Sequence, residues 1–459
     1  MNGDIRLGID ALAMFRPDDA ECFSYSRAAQ QVGIVHFGIG AFHRAHQAWY
    51  TDAAMNAGER DWMITGVSLR SAEVAEQMNP QQGLYTVTER SAEGAATRLI
   101  GAVREVLVAP YESEAVIALL AAPTTHIAMF TITEKGYCRT AEGALDPALA
   151  GDVSMYHYLA AGLRRRRDTG LPGLTLLCCD NLANNGEQLE RLMGEYLAHN
   201  APGLLDWFKG TCTCPSTMVD RIVPATTADD RASVSEALDG LRDLAAVMTE
   251  PFSQWVIEDK FAGPRPRWEA VGAELVSDVR PYETAKLRML NGAHSALAYI
   301  GLNHGHTFVH EAVADPAIRP LIERLMREEA LPTINAAPGQ DLSAYADALL
   351  SRFANPALQH RLIQIAMDGS QKIPQRWLET LAANQTLGRT CPAILTAISG
   401  WIRHLRGLNG PVDDPRAAEL SRAVATPDAV EALFGNGGLL ASDWVPGRAD
   451  RDAIFADLA

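Results

Sequence analysis

Residues 33–56, GIVHFGIGAFHRAHQAWYTDAAMN, carry a strand, a turn and a helix in that order. Residues 33–37 are a short apolar run of strand type, and the run breaks at Gly38, Ile39 and Gly40. Residues 41–56 then carry a helical pattern. A dinucleotide phosphate needs this order. The first glycine makes the turn, the second lets the backbone approach the pyrophosphate, and the helix N-terminus faces the negative charge. Under this reading the cofactor contacts fall on Gly38, Ile39, Gly40, Ala41 and Phe42. The third glycine position of the pattern is His43, so the stretch also fits an ordinary strand-to-helix turn.

The flanking sequence continues the alternation. Residues 62–69 form a second strand, followed by Arg70 and Glu73. An acid there holds a ribose diol, whereas an arginine accepts a 2′-phosphate, so NAD and NADP both remain open on this chemistry. Residues 84–90 and 96–108 read as an antiparallel pair turning at residues 92–94. Strands follow at 126–133 and 174–179, and helices at 152–167 and 186–199. Strands alternating with helices predict an α/β fold with a doubly wound, Rossmann-type parallel sheet. Further strands are expected at 217–223, 245–249, 254–258 and 273–279. Beyond Tyr282 the signals are almost all helical, at 311–330, 342–353, 356–367, 374–385, 391–406 and 415–434. The sequence therefore predicts a sheet domain over residues 1–280 and a mostly α-helical domain over residues 281–459.

The change of texture falls at residues 282–300, YETAKLRMLNGAHSALAYI, which predict one uninterrupted helix starting just after Pro281. At ~100° per residue, Asn291 lies about 140° round from Lys286, and His294 about 80°. A lysine, an amide and an imidazole on one helix face can hold a carbonyl oxygen and hand it a proton. The same spacing also fits a solvated lysine, a polar mid-helix asparagine and a satisfied core histidine.

Composition narrows the partners. The 459 residues carry 40 basic and 56 acidic side chains, a net charge of −16, which argues against nucleic acid or an anionic membrane as a partner. The one basic run, Arg164 to Arg167, reads as a solvated helix end. Seven cysteines without regular spacing read as reduced thiols of a cytoplasmic protein. No apolar run reaches the ~18 residues of a membrane span, and the N-terminus lacks a signal pattern. No Cys-x2-Cys pair, G-x-S-x-G or Walker sequence is present. His304, His306 and His310 cluster without an acidic triad, so no metal is expected. Residues 367–375, MDGSQKIPQ, read as a polar glycine turn with Lys372 in it, and His360 and Arg361 open the apolar helix just before.

Seven segments resemble the polyol-specific long-chain dehydrogenases, the mannitol dehydrogenase family. They are GIGAFHRAHQ at 38–47, TEKGYC at 133–138, CDN at 179–181, STMVDRIVP at 216–224, PFSQWVIED at 251–259, KLRMLNGAHS at 286–295 and IAMDGSQKIPQR at 365–376. The resemblance runs in order from about residue 32 to 440. It implies a metal-independent, NAD-dependent oxidoreductase with Lys286 as general acid/base and Asn291 and His294 binding the reacting oxygen. It also implies Asn181, Asp220 and Lys372 near the substrate and Glu283 as a proton relay, while the strand-end chemistry puts Glu73 at the cofactor. Arg361, with Gln364 where some mannitol dehydrogenases carry arginine, points to a 2-keto sugar acid of the D-fructuronate type. Mannitol or D-arabinitol dehydrogenase is the alternative, and an inactive binding protein on the same scaffold is a remote one. The partner expected is a small sugar acid or polyol, with the chain a monomer or weak homodimer.

Overall fold

The computed structural model describes every residue except 1–4, 16, 141, 457 and 459. The chain divides into two compact units, Met1–Val279 and Arg280–Ala459.

The first unit is built on a five-stranded sheet: β1 Val32–Phe37, β2 Met63–Ser68, β3 Val103–Val108, β4 Ile127–Phe130 and β5 Thr175–Cys178. Every pairing is parallel, and the order is β3-β2-β1-β4-β5. The α/β expectation is met. Alternate residues serve opposite faces. On β1, Val35 and Phe37 join one apolar cluster and Ile34 the other; on β4, Ala128 and Phe130 divide in the same way from Ile127 and Met129. Both faces are thus covered, as a parallel sheet requires. Smaller sheets flank it. Tyr85–Ser91 and Gly94–Ile100 pair antiparallel, and Gln254–Glu258 lies between Thr217–Asp220 and Glu274–Val276.

Three local expectations are corrected here. The strand expected over 96–108 is two strands, since Gly94–Ile100 stays in the flanking sheet while β3 joins the main one. Gly101 lies at the switch, where an added Cβ would meet the Phe23 ring at 2.7 Å. The helix expected over 41–56 breaks at His46 into Ala41–Ala45 and Gln47–Asn56. His46 has φ −125° and ψ −88°. Its buried Nε2 meets the Gln254 carbonyl at 2.9 Å, and its ring stands edge-on to Trp255. Finally, Arg166 is not solvated. It is buried and donates to the Leu120, Ala122 and Pro172 carbonyls at 2.8–3.0 Å.

The second unit is helical around Gly292–Asn303, whose residues 292–301 are all buried. A helix apolar on every side is a central helix. Leu342–Phe353 and Pro392–Leu405 are regular helices of this unit. Buried Glu329 accepts from the Ala393 and Ile394 N–H groups at 2.7 and 2.9 Å, capping the second of these. The helices expected at 311–330, 356–367 and 415–434 are each interrupted, and Arg448–Ala456 adds one that the sequence reading did not anticipate. Among the described residues no helix is long and apolar enough to cross a membrane.

Candidate active site

The order of the main sheet reverses beside β1, at the β1/β4 pair, which is where open α/β sheets bind ligands beyond the carboxyl ends of their strands. Gly38 leaves β1 at that point with φ +86°. A Cβ on it would sit 1.9 Å from the Thr131 carbonyl that leaves β4, so only glycine fits. Its N–H donates to Val67 O at 2.9 Å and its carbonyl accepts from Thr131 Oγ1 at 3.0 Å. Ile39 turns down onto Gly66 of β2, where an added Cβ would meet the Ile39 side chain at 2.7 Å. Gly40 differs from both: a Cβ there meets nothing within 4 Å among the described residues. Packing does not demand that glycine, and the space over it is open to a ligand.

Ala41–Ala45 follows, and Arg44 N–H is the first to close on Gly40 O, at 3.2 Å. The N–H groups of Ala41, Phe42 and His43 precede that bond, as orphan donors do at a helix start. His43, in the third glycine position, is buried against His36 of β1 with ring centroids 3.5 Å apart. Burial pushes His36 down to about 3 and His43 well below the usual imidazole range, so both rings are neutral at pH 7. Glu73 is exposed at the start of Glu73–Met78, and Arg70 is exposed just before it.

Asn181 follows β5 and is exposed. Its neighbour Asp180 accepts from the Ile132 and Thr133 N–H groups at 2.9 and 3.0 Å and from the Tyr137 hydroxyl at 2.8 Å. The exits of β4 and β5 are thereby fastened together. Asp220 is buried at the end of Thr217–Asp220. Adjacent Arg221 is buried too; it donates to Ala45 O at 2.6 Å and pairs with Glu89. The short helix after the glycine turn is thus held by the neighbour of a candidate substrate residue. The sequence offered only an arginine in an apolar setting.

In the second unit the expected single helix has three parts: Arg280–Ala285, a π turn at Lys286–Asn291, and Gly292–Asn303. Gly292 N–H reaches back to Leu287 O, an i→i+5 bond. The i→i+5 bond widens the turn, so Asn291 comes round nearer to the Lys286 face than the about 140° of an α-helix. The wide turn is gripped from outside. Trp377 Nε1 donates to Gly292 O at 3.0 Å, and Arg376 donates to Ser295 Oγ at 2.8 Å and Asn291 O at 3.4 Å. Lys286, Asn291 and Glu283 are half-buried, with Glu283 one turn before the lysine.

His294 is buried, tilted on Phe353 at 4.6 Å and edge-on to His360 at 5.5 Å. Burial first, then His360, Arg352 and Arg376, hold it well below the usual imidazole range, so it is neutral. Its Nε2 has no partner among the described residues.

Lys372 does not stand in a turn. It belongs to Gly369–Ile373, half-buried, and its ammonium donates to Met367 O at 2.6 Å and Ile365 O at 3.3 Å. Burial, then Arg376, lowers its pKa. Residues 360 and 361 are extended, not helical: Val309 N–H bonds His360 O, Leu362 N–H bonds Thr307 O, and the short helix begins only at Leu362. Arg361 is exposed, with its guanidinium 5.6 Å over the Phe308 ring and no side-chain hydrogen bond or ion pair to another described residue. Residue 376 stood in a quoted motif, but nothing in its sequence setting marked it as the clamp on the π turn.

The profile of the mannitol dehydrogenase Rossmann domain matches residues 32–270, and that of the mannitol dehydrogenase C-terminal domain matches residues 278–438. The chain belongs to the mannitol dehydrogenase family. It is an oxidoreductase acting on CH–OH groups. D-mannonate oxidoreductase of Escherichia coli (strain K12) is 40% identical over 450 residues, covering 93% of this chain and 92% of that one. Mannitol 2-dehydrogenase of Phaeosphaeria nodorum is 38% identical over 439 residues, covering 90% and 77%. Among solved structures, Pseudomonas fluorescens mannitol 2-dehydrogenase, a ternary complex with NAD and D-mannitol, superposes with a TM-score of 0.82 at 34% identity, over 99% of this chain and 95% of that one.

Proposed function

We propose that this member of the family reversibly reduces a 2-keto sugar acid of the D-fructuronate type to the corresponding 2-hydroxy acid, with NAD(H) as cofactor and without a metal. The observation that carries the chemistry is the π turn over Lys286–Asn291, whose wider turn brings Asn291 round towards Lys286. When bound, the nicotinamide supplies or accepts the hydride. Gly38 to Phe42 fit its pyrophosphate, through the open space over Gly40 and the leading N–H groups of the helix, and Glu73 fits a ribose hydroxyl pair.

During reduction, negative charge grows on the substrate oxygen. The Asn291 amide and neutral His294 donate hydrogen bonds to it, and the Lys286 ammonium delivers the proton. Oxidation runs in reverse, with the neutral amine accepting the alcohol proton. Glu283 relays the proton between Lys286 and solvent. Asn181, Asp220 and Lys372 orient the sugar hydroxyls. Arg361, whose guanidinium is uncommitted, recognises the carboxylate. This reading is supported by the similarity to D-mannonate oxidoreductase.

A polyol/ketose interconversion is the second reading, favoured by the likeness to mannitol 2-dehydrogenases. NADH oxidation with D-fructuronate, D-tagaturonate, D-fructose and D-xylulose, measured side by side, separates the two. Turnover of fructose with none of either uronate would reverse the assignment.

A further inference from the structure

The central helix of the second unit ends at Asn303, and His304 takes its C-cap position. That end lies ten residues beyond His294, about 15 Å along an α-helix. The chain turns at Gly305 with φ +82°, and His306 follows. It then forms Val309–Ala314, whose C-cap is Asp315. Two helix ends thereby bring together three side chains that the sequence separates: His304 Nδ1 lies 3.2 Å and His306 Nε2 2.9 Å from the same oxygen, Asp315 Oδ2. All three ligand atoms lie within 4.8 Å of one another.

The carboxylate is aimed. Oδ1 accepts the Ala317 N–H at 2.8 Å, which turns Oδ2 towards the two rings. Such an outer contact fixes the orientation of a metal ligand. The site is partly shielded, with the Asp315 side chain 18% and the His306 side chain 26% exposed, and His304 on the open side.

We infer that His304, His306 and Asp315 form a binding site for a divalent cation of the zinc class, separate from the reacting lysine. Two imidazoles and one carboxylate suit zinc and its neighbours, whereas magnesium and calcium prefer oxygen alone. Bonds of ~2.0–2.1 Å around a tetrahedral ion place ligand atoms roughly 3.3 Å apart, close to the separations already present. The rings bind as neutral imidazoles with the proton on the nitrogen away from the ion, so Asp315 exchanges two hydrogen bonds for one metal bond. Water fills the remaining position. The same loop carries Thr307 and Phe308, whose N–H groups donate to Glu311 at 2.8 and 2.9 Å and whose strand-like stretch pairs with residues 360–362, so the ion would add a further anchor to this segment.

The test uses the full chain, free of any affinity tag and stripped with a chelator, titrated with Co2+ as a spectroscopic probe and with Zn2+ in competition. The expected result is one Co2+ per chain with intense visible bands of a low-coordinate site, displaced by Zn2+. His306→Gln should abolish the bands. Asp315→Asn, which keeps an oxygen for the Ala317 N–H, should weaken binding at least about 10-fold. Absence of bands in the unaltered protein overturns the site, as does unchanged binding in both variants. If His306→Gln does not fold, His304→Gln, at an exposed helix end, decides in the same way.

Discussion

The glycine turn of the first unit and the π turn of the second are both departures from regular structure, but they present different chemistry. After β1 the chain is pinned on two sides, by Val67 and by Thr131, and what it offers is backbone: N–H groups and the open space over Gly40. In the helix of the second unit the backbone is occupied, by its own bonds and by Trp377 and Arg376, and what it offers is side chains, Lys286, Asn291 and His294. A turn between parallel strands can approach a phosphate closely because its leading N–H groups have no other partner. A widened helical turn can set two side chains in register that an α-helix would hold on different faces. The first arrangement suits holding a cofactor and the second suits moving a proton.

The largest effects should divide along that line. Lys286→Ala should lower kcat by about 10²–10⁴-fold and leave NADH affinity nearly unchanged. Gly40→Val, which places a branched side chain in the open space, should do the reverse by weakening NADH binding. In the unaltered enzyme, alcohol oxidation should rise with pH through the apparent pKa of Lys286 and keto reduction should fall through it. A Lys286→Ala enzyme with near-normal kcat and the same pH profile would falsify the proton-transfer role, and unchanged NADH titration of Gly40→Val would erase the contrast between the two turns.

Asn291→Ala and His294→Ala come next, each costing about 10²–10³ in kcat if they hold the developing oxyanion. Trp377 and Arg376 grip the same turn, so circular dichroism and a melting curve on each variant separate lost chemistry from a relaxed helix. A normal kcat for both would leave the π turn as scaffold.

Arg361→Ala sharpens the substrate side. A charge-assisted contact is worth roughly 1.5–3 kcal/mol, so KM for fructuronate should rise roughly 10- to 150-fold while that for fructose barely moves. Equal losses on both substrates would remove the carboxylate contact.

Smaller still is the effect of the buried neutral histidines. An unfolded imidazole titrates near ~6.5, whereas burial holds His36 at about 3 and His43 well below the usual range. Between those values the unfolded chain binds the extra proton, so stability present above pH ~6.5 is lost as pH falls, by up to about 1.4 kcal/mol per pH unit for each group. His43→Leu should flatten that dependence, read from denaturant midpoints between pH 7 and 4; an unchanged slope would show that His43 is already charged when folded. At the bottom of the scale, dialysis against a chelator should leave turnover unchanged, because the proposed acid/base is a lysine and the inferred cation site lies at the far end of the central helix. Loss of activity restored by zinc would overturn that separation.

Sequence reading alone carried the α/β sheet, the helical second half and the glycine turn, and it set Lys286, Asn291 and His294 on one helical stretch. These rest on short-range causes: apolar alternation in strands, glycine where φ is positive, and motifs contiguous in the chain. The chain could not disclose what depends on a distant partner. Residues 41–56 read as one helix until Gln254 and Trp255, some two hundred residues on, hold His46 out of line. Residues 282–300 likewise read as a regular helix. Its α-helical pattern is local, whereas the π turn within it is held by Arg376 and Trp377. Likewise the sequence showed His304 and His306 without an acidic triad, and which nearby acid meets them was decided only when the next helix ended with Asp315 beside the two rings. Local sequence sets which conformations are cheap; long-range packing chooses among those that differ by the one or two kcal/mol that a single buried contact supplies.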